Sequence, residues 1–440
     1  MPSKLRVAVV GGGVCGMTCS VALLKEGVDT HVYEAGARLG EVEAGIPVVR
    51  ILKAIGIWND IVSRNRQPSI VRAHPAANPA AQVEAKVSHD GQQRRYFQFV
   101  SGMAGHEVLC DQDPGEPVAK GINRSVFLNA LAHHVDPKRV HLRKQCTRIT
   151  AAAHGAILHF QDGTTTTADI VLGADGIRSL VRRYVTDSLD ANIDPHLKLS
   201  RTVCYRALIP VSKAFASGTT MDFTKQPVCF VGENKHITAY NVKAGTLVNV
   251  AAFASDPNSA ADNCPPSNHD AVQEVSTSDV LEVFRSWGPE VVNLLSCAER
   301  FVKWNNDVVY PPIDPRKWVK GRVAILGDAA HGMLAHDGAG AGQGIEDAYL
   351  LAKLLGHPQA THNAADAILR TYAVVRQPRA QDVWEGSRCT GDILESRTEG
   401  FEVERLYEIW HYVWDRPTNA DFEEANRILV GKNVFVKAAL

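Results

Sequence analysis

Three glycine-rich turns in this chain each follow an apolar run; two carry an acid, and the first has one about twenty residues on. The first run, Leu5-Arg6-Val7-Ala8-Val9-Val10, leads into Gly11-Gly12-Gly13-Val14-Cys15-Gly16. A second run, Thr30-His31-Val32-Tyr33, then ends in Glu34. In such a G-x-G-x-x-G turn Gly11 permits the tight bend, Gly13 lets the main chain approach a pyrophosphate, and Gly16 lets a helix lie against its strand. The helix N-terminus offers free N–H groups to the phosphates. Glu34, about twenty residues on, can accept hydrogen bonds from a ribose. The pattern implies a dinucleotide site. The second turn, Gly173-Ala174-Asp175-Gly176, follows the strand-like Ile170-Val171-Leu172. The third, Gly327-Asp328-Ala329-Ala330-His331, precedes Gly338-Ala339-Gly340-Ala341-Gly342-Gln343-Gly344. Here an acid at a strand end can hold a sugar or polyol hydroxyl, and the glycines admit a bulky planar group. The N-terminus of the next helix would favour negative charge on that group. Taken alone, the third turn also fits an ordinary strand-turn-helix with a permissive loop.

The elements that must position these turns are legible in outline. Residues 5–34 read as a βαβ unit. Ile51 to Trp58 reads as a short helix stopped by Gly56. From about 66 to 123 the chain is polar and rich in turns, with a strand over Arg94–Val100, and Asn123 can cap a helix through Ser125–Leu131. Residues Ile157–Phe160 and Gln161–Thr164 read as a strand and hairpin turn. Strand-like runs then crowd together at Thr202–Tyr205, His236–Tyr240 and Thr246–Val250. A buried strand at Arg322–Leu326 and a helix from about 342 to 356 return to nucleotide-binding character, and an aromatic helical tail follows, with Trp384, Trp410 and Trp414. The expected fold is α/β, one dinucleotide domain interrupted by a β-rich lobe. The expected boundaries are 1–75, 76–185, 186–310, 311–390 and 391–440.

Composition excludes several classes. The 440 residues are 45% hydrophobic and 22% charged, with a net charge of −1, so no nucleic acid or anionic membrane is expected as a partner. Nine cysteines without a C-x-x-C suit a reducing compartment, and Cys15 and Cys19 read as small packed thiols. No stretch resembles a signal peptide or a membrane span, so the expected location is cytoplasmic. No His-Glu-x-x-His or clustered ligand set is present, and no metal is expected.

Taken in order, the three turns resemble those of the class A FAD-dependent monooxygenases, the aromatic hydroxylase group that includes p-hydroxybenzoate and salicylate hydroxylases. The resemblance spans about residues 5–390. From Gly327 to Ala348 it is closest to the salicylate hydroxylase branch and to fungal phenol hydroxylases and dearomatising enzymes. It implies a glutathione-reductase-like FAD-binding Rossmann domain, an inserted β-sheet substrate domain and C-terminal helices. It places Gly11, Gly13 and Gly16 on the FAD pyrophosphate and Glu34 on the adenosine ribose. Arg124 would open a helix over the FAD, Asp175 and Gly176 would serve FAD and nicotinamide docking, and Asp328 would hold the ribityl and pyrophosphate region. Gly340 and Ala341 would begin the helix aimed at the isoalloxazine. NADPH or NADH would visit transiently, since no second dinucleotide turn exists. Two departures stand out. The loop after Gly45 is a few residues short, and Ala335 stands where relatives carry proline.

The implied reaction is NAD(P)H- and oxygen-dependent hydroxylation of a phenolic aromatic through a flavin C4a-hydroperoxide. A hydroxybenzoate is the leading substrate, with or without loss of its carboxylate. Oxidative dearomatisation of an alkylphenol, or epoxidation, is the alternative. A flavin oxidoreductase and a catalytically silent FAD-binding protein are competing classes. Phenols titrate near 10, so the protein must stabilise the phenolate. Arg206, in the β-rich lobe, is either the fork for that anion or a surface ion pair. Tyr240 either hydrogen-bonds the substrate oxygen or packs in the sheet. His336 either relays a proton, oriented by Asp337, or is a structural loop residue. His331 reads as structural. The oligomeric state is left open between monomer and homodimer.

Overall fold

Apolar runs that end in glycine or an acid line up side by side in the computed structural model, which describes residues 5–39, 49–65, 97–110, 124–189, 194–242, 245–256 and 272–436. A six-stranded sheet runs in the order Val319–Lys320, Val323–Ile325, Ile170–Gly173, Arg6–Val10, Asp29–Tyr33, Val140–His141. All its pairings are parallel except that of the first two strands. The central strands are buried on both faces, which explains their unbroken Val/Ile/Leu character. Because the strands are parallel, Gly11, Glu34, Asp175 and Asp328 all emerge at one edge, the carboxyl ends, where open α/β sheets bind ligands.

The β-rich lobe is an eight-stranded sheet in the order Val272–Val275, Phe301–Val309, Leu197–Pro210, Leu247–Ser255, Lys235–Val242, Val228–Gly232, Gln98–Ser101, Val108–Cys110. Its two faces differ. Tyr205, Ala207, Ile209, Phe230, Ile237, Ala239, Val250 and Ala252 pack on Val280, Phe284, Val291 and Leu294 of the helices Thr277–Val283 and Pro289–Ser296. Alternation sends Cys204, Arg206, His236, Thr238, Tyr240, Asn249 and Phe253 to the other face. That face meets the C-terminal helices, where Phe99, Cys229 and Val231 pack on Ile393, Leu394 and Leu406.

Several local readings shift. The short helix runs Val49–Ile55 and stops at Gly56, which sits at φ +75°, and Trp58 opens the next helix, Trp58–Asn65. The strand expected from Arg94 is described only from Gln98 and joins the eight-stranded sheet. Thr202–Tyr205 is part of a 14-residue strand. The expected boundary at 390 falls within the 30-residue helix Ala365–Leu394. Asn123, the shortened loop after Gly45 and the Arg124 side chain lie outside the described residues, although a helix does begin at Arg124. Among the described residues no helix is long and apolar enough to cross a membrane.

Candidate active site

The first turn is tight for steric reasons that can be measured. Gly11 has φ +105°, and a Cβ there would lie 2.3 Å from Ala174 O. A Cβ at Gly16 would lie 2.0 Å from Gly11 O, so only glycine lets the helix Val14–Lys25 seat on its strand. Gly13 caps that helix and has no side chain to cap its first N–H groups. Glu34 accepts from Gly12 N at 2.6 Å and from Gly36 N at 2.7 Å, one bond per carboxylate oxygen. Each oxygen keeps a lone pair for a ribose hydroxyl.

The third turn is drawn to the first by a sulfur. Cys15 fits between Gly327 and Gly344, where a Cβ would lie 2.7 Å and 2.1 Å from its Sγ. The helix Gly340–Leu355 therefore packs against the first helix near both N-termini, and the two positive dipole ends converge. Asp328 stands exposed at the mouth of this cradle, and Gly340 faces its carboxylate. The cradle is anchored from behind by buried ions. Asp347 accepts from Gly327 N (2.9 Å), His331 Nε2 (2.7 Å) and Arg376 Nε (2.8 Å). Arg376 also reaches Glu346 and Asp421, and Arg379 forks onto Glu346. Burial pushes the Asp347 carboxyl up, but the His331 and Arg376 charges outweigh it and hold it near 2. His331 is thus a structural partner, as expected.

Backbone N–H groups, Glu34 and an exposed strand-end carboxylate match the pyrophosphate, ribose and ribityl of FAD in donor type and order. Asp175 has a nearer task. Its carboxylate accepts from Ser179 Oγ (2.5 Å), Leu180 N (2.8 Å) and Val181 N (3.1 Å), so it caps the helix Leu180–Val185. Gly176 beside it has φ +75° and open space at its Cα.

Across from this cradle lies the polar face of the eight-stranded sheet. Arg206 pairs with Ala251, and Ala251 with Thr238, two residues before Tyr240 on the same face. Strand spacing puts the Arg206 and Tyr240 Cα atoms about 12 Å apart, a gap their side chains can close around one ring. Asn249, opposite Tyr240, is buried with its Nδ2 unpartnered among the described residues. His336 comes to this face from the loop between the third turn and its helix. The long helix Ala365–Leu394 pins that loop: Trp384 Nε1 donates to Gly332 O (3.2 Å), Ser387 Oγ to Leu334 O (2.8 Å), and Gly391 leaves room for the His336 ring. Ala335 is exposed within this loop.

One expected pairing is corrected. Asp337 does not orient His336; it turns away and accepts from Trp410 Nε1 at 3.2 Å. The carboxylate beside His336 is Glu395, and His236 meets both, at 3.3 Å from Glu395 Oε1 and 5.1 Å ring to ring from His336, while its own ring stacks on Phe253 at 4.4 Å and 8°. Donor atoms of His236, His336 and Glu395 all lie within 4.8 Å of one another. This three-segment cluster was invisible to a search for contiguous ligand motifs. Strand alternation would have placed His236 beside Tyr240, but nothing in the sequence marks Glu395 or Asn249. The thiols on this face are inert, with burial pushing Cys204 up to about 12 and Cys229 higher still.

The described FAD binding domain family matches residues 4–192 and 314–387, leaving out most of the eight-stranded sheet. A salicylate hydroxylase of Pseudomonas putida is 30% identical over 99% of this chain and 97% of its own length. The chain belongs to the FAD-dependent monooxygenases. FAD is its cofactor, and the fold expected from the sequence stands. A 6-methylsalicylate 1-monooxygenase of Aspergillus terreus is 29% identical over 97% of this chain and 91% of the relative. An FAD-dependent monooxygenase of Monascus ruber is 29% identical over 97% and 98%. A solved salicylate hydroxylase substrate complex superposes with a TM-score of 0.79 at 29% identity, covering 96% of this monooxygenase and 98% of that chain.

Proposed function

We propose that this monooxygenase hydroxylates a phenolic ring carrying a carboxylate, with NADH or NADPH as reductant. The observation that carries the reading is one sheet face that carries Arg206 and Tyr240 by register, with His336 of the loop after the third turn packed against His236 of that same face. The relatives named for salicylate and 6-methylsalicylate support it. Gly11, Gly13 and Gly16 shape the pyrophosphate turn, Glu34 takes the ribose and Asp328 the ribityl chain. Gly340 and Ala341, at the start of the cradle helix, would offer N–H groups to the ring, and Gly176 and the helix that begins at Arg124 would complete the site. When bound there, FAD would supply the redox chemistry, passing reducing equivalents from the nicotinamide to dioxygen so that one oxygen atom reaches the aromatic ring and the other leaves as water.

The protein's own tasks are to orient the phenol, exclude water and hold its anion. The planar fork of Arg206 takes the carboxylate, or the phenolate, through two parallel N–H bonds. Tyr240 donates its O–H to the phenolic oxygen and Asn249 Nδ2 offers a second donor nearby. His336 accepts the phenol proton at a ring nitrogen. The phenolate, electron-rich at its ortho and para carbons, would form the new C–O bond there to the oxygen atom that the cofactor's chemistry supplies, and a proton on that carbon then leaves to restore the ring. If that carbon bears the carboxylate, CO2 leaves as the ring regains aromaticity; if it bears an alkyl group, a dienone remains.

The test is a panel of hydroxybenzoates and alkylphenols, following NAD(P)H consumption, peroxide release, CO2 release and labelled oxygen together. Hydroxybenzoate-stimulated NAD(P)H oxidation, with one labelled oxygen in the product, is the expected result. Dienone formation from alkylphenols alone would replace the substrate class. Absence of stimulation by every phenol would overturn the reading.

A further inference from the structure

Glu395 caps the C-terminal end of the long helix and is fully buried. Its backbone carbonyl accepts from Asn234 N at 2.9 Å, at the turn between two strands of the eight-stranded sheet. Arg397 donates to Glu395 Oε2 at 2.5 Å and to Asn234 Oδ1 at 3.1 Å. The helix end is thus fastened to the substrate lobe. The other carboxylate oxygen has a different neighbour. Oε1 lies 3.3 Å from His236 Nδ1, an ion-pair contact without the alignment of a hydrogen bond. Among the described residues, neither nitrogen of His236, nor His336 Nδ1, has an aligned partner. Buried groups of this kind are costly to leave unsatisfied, and they are grouped in one place. Phe253 stacks on His236 and also meets His336 at 5.4 Å, holding both rings beside the carboxylate.

We propose that Glu395 is a positioning residue of the substrate pocket: its buried carboxylate, through His236, supplies the charge that lets His336 take the proton of a bound phenol. This rests on the phenol monooxygenase reading. In the step, the phenol O–H bond breaks, its proton passes to a ring nitrogen of neutral His336, and the electron pair stays on oxygen. The imidazolium so formed lies within 4.8 Å of the cluster's carboxylate. At this depth the opposite charge is a strong stabiliser, as in other carboxylate–imidazole pairs. Burial drives His336 down to about 3, and Glu395 is the charge that opposes this. Glu395 itself is pushed up by burial, but the His236 contact and the Arg397 charge hold it near 2, so it stays ionised across the working range. The groups facing the pair are few. His236 comes from the strand, His336 from the loop, and Arg397 from beyond the helix, backed by Asp392 at 3.3 Å. Lys235 points to the opposite face, onto Val283 O, and Asp337 points to Trp410.

The test uses FAD-loaded wild type, Glu395→Gln and Glu395→Asp with a carboxylated nitrophenol, whose phenolate absorbance reports ionisation of the bound ligand as pH varies. Glu395→Gln keeps an acceptor for Arg397 but removes the charge. It is expected to raise the bound phenol's pKa by about one unit or more, with Glu395→Asp restoring most of the shift. In turnover, Glu395→Gln should lose kcat/KM about 10- to 100-fold with weakly acidic phenols, and the loss should shrink as the phenol becomes more acidic. If Glu395→Gln does not retain FAD, His236→Gln is read in the same titration with the same expectation. An unchanged titration, a loss equal for all phenols, or failure of wild type to bind any phenol would overturn the proposal. So would a stoichiometric divalent metal on the two histidines and Glu395, removable by chelator with loss of activity. Should wild type ionise bound phenols without turning them over, the monooxygenase substrate reading fails while the Glu395 role stands.

Discussion

Gly344→Ala probes the FAD cradle at its tightest point. The added Cβ would lie 2.1 Å from Cys15 Sγ, 3.1 Å from Cys15 Cβ and 3.2 Å from Gly327 Cα. Comfortable contacts between such atoms are about 3.5–4.0 Å, so the two helices would have to part by roughly 1.5 Å. Overpacking of this size costs about 1–3 kcal/mol, and here it displaces the helix N-termini that frame the cofactor. Cys15→Ala removes the sulfur and leaves the contacts at 3.1 Å to the residue-15 Cβ and 3.2 Å to Gly327 Cα, each of which a few tenths of an ångström can relieve. The double variant should therefore be more stable than the sum of the singles by about 1–2 kcal/mol. Urea unfolding by tryptophan fluorescence and FAD occupancy by visible absorbance read the cycle. Gly344→Ala is expected to lower both, with Cys15→Ala in the same chain restoring more than half of each. Wild-type unfolding and FAD affinity in Gly344→Ala, or strict additivity, would refute the packing argument.

The remaining predictions concern charge. Asp347 is held near 2, below its ordinary 3.8, so it stabilises the fold above about pH 4 and that contribution fades as pH falls toward 2. Asp347→Asn should cost about 2 kcal/mol at pH 7, with the gap to wild type narrowing below pH 4 in acid unfolding curves. Asp337 shows the reverse sign. Burial raises it to about 6, so the folded state favours its protonated form and loses stability as pH rises from about 4 through 6. Asp337→Asn should therefore be more stable than wild type by up to about 3 kcal/mol at pH 8 and equal to it near pH 4, as read by thermal unfolding. Arg206→Lys replaces a fork with a point charge and should lower kcat/KM for a hydroxybenzoate about 10- to 100-fold without changing FAD content; an unchanged KM would remove Arg206 from the carboxylate.

The cofactor cradle was legible because its demands fall on contiguous residues. A strand, a turn that only glycine can make and a helix start occupy neighbouring positions, so Gly11, Gly16 and Gly327 declare themselves. The substrate face is set by pairing between distant strands. Arg206 and Tyr240 could be nominated from their strands, but their shared face depends on the register through Ala251 and Thr238. Adjacency even misled. Asp337 follows His336 directly, yet the two consecutive loop residues find different partners, His236 and Phe253 for one and Trp410 for the other. Asp175 illustrates a further ambiguity. An acid ahead of Ser179 and an apolar run is also a helix-capping pattern, and its carboxylate serves that purpose.

What fixes the two lobes relative to each other is the helix Ala365–Leu394. Arg376, Arg379, Trp384, Ser387, Gly391 and Glu395 follow one another at intervals of three to five residues, so they fall within about one half of the helix circumference, a broad stripe. In order, they tie down the cradle helix, the loop carrying His336, and the strand carrying His236. At 1.5 Å per residue the stripe spans about 28 Å, a rigid link between the FAD edge and the substrate sheet. A single residue inserted after Ala380 would rotate everything beyond it by about 100° relative to Arg376. Such a variant should keep FAD through the Arg376 cluster and lose phenol binding, because Gly391 and Glu395 no longer face their partners. Retention of both, measured by absorbance titration of FAD and of a nitrophenol, would mean that the strands and loops hold the pocket without the helix.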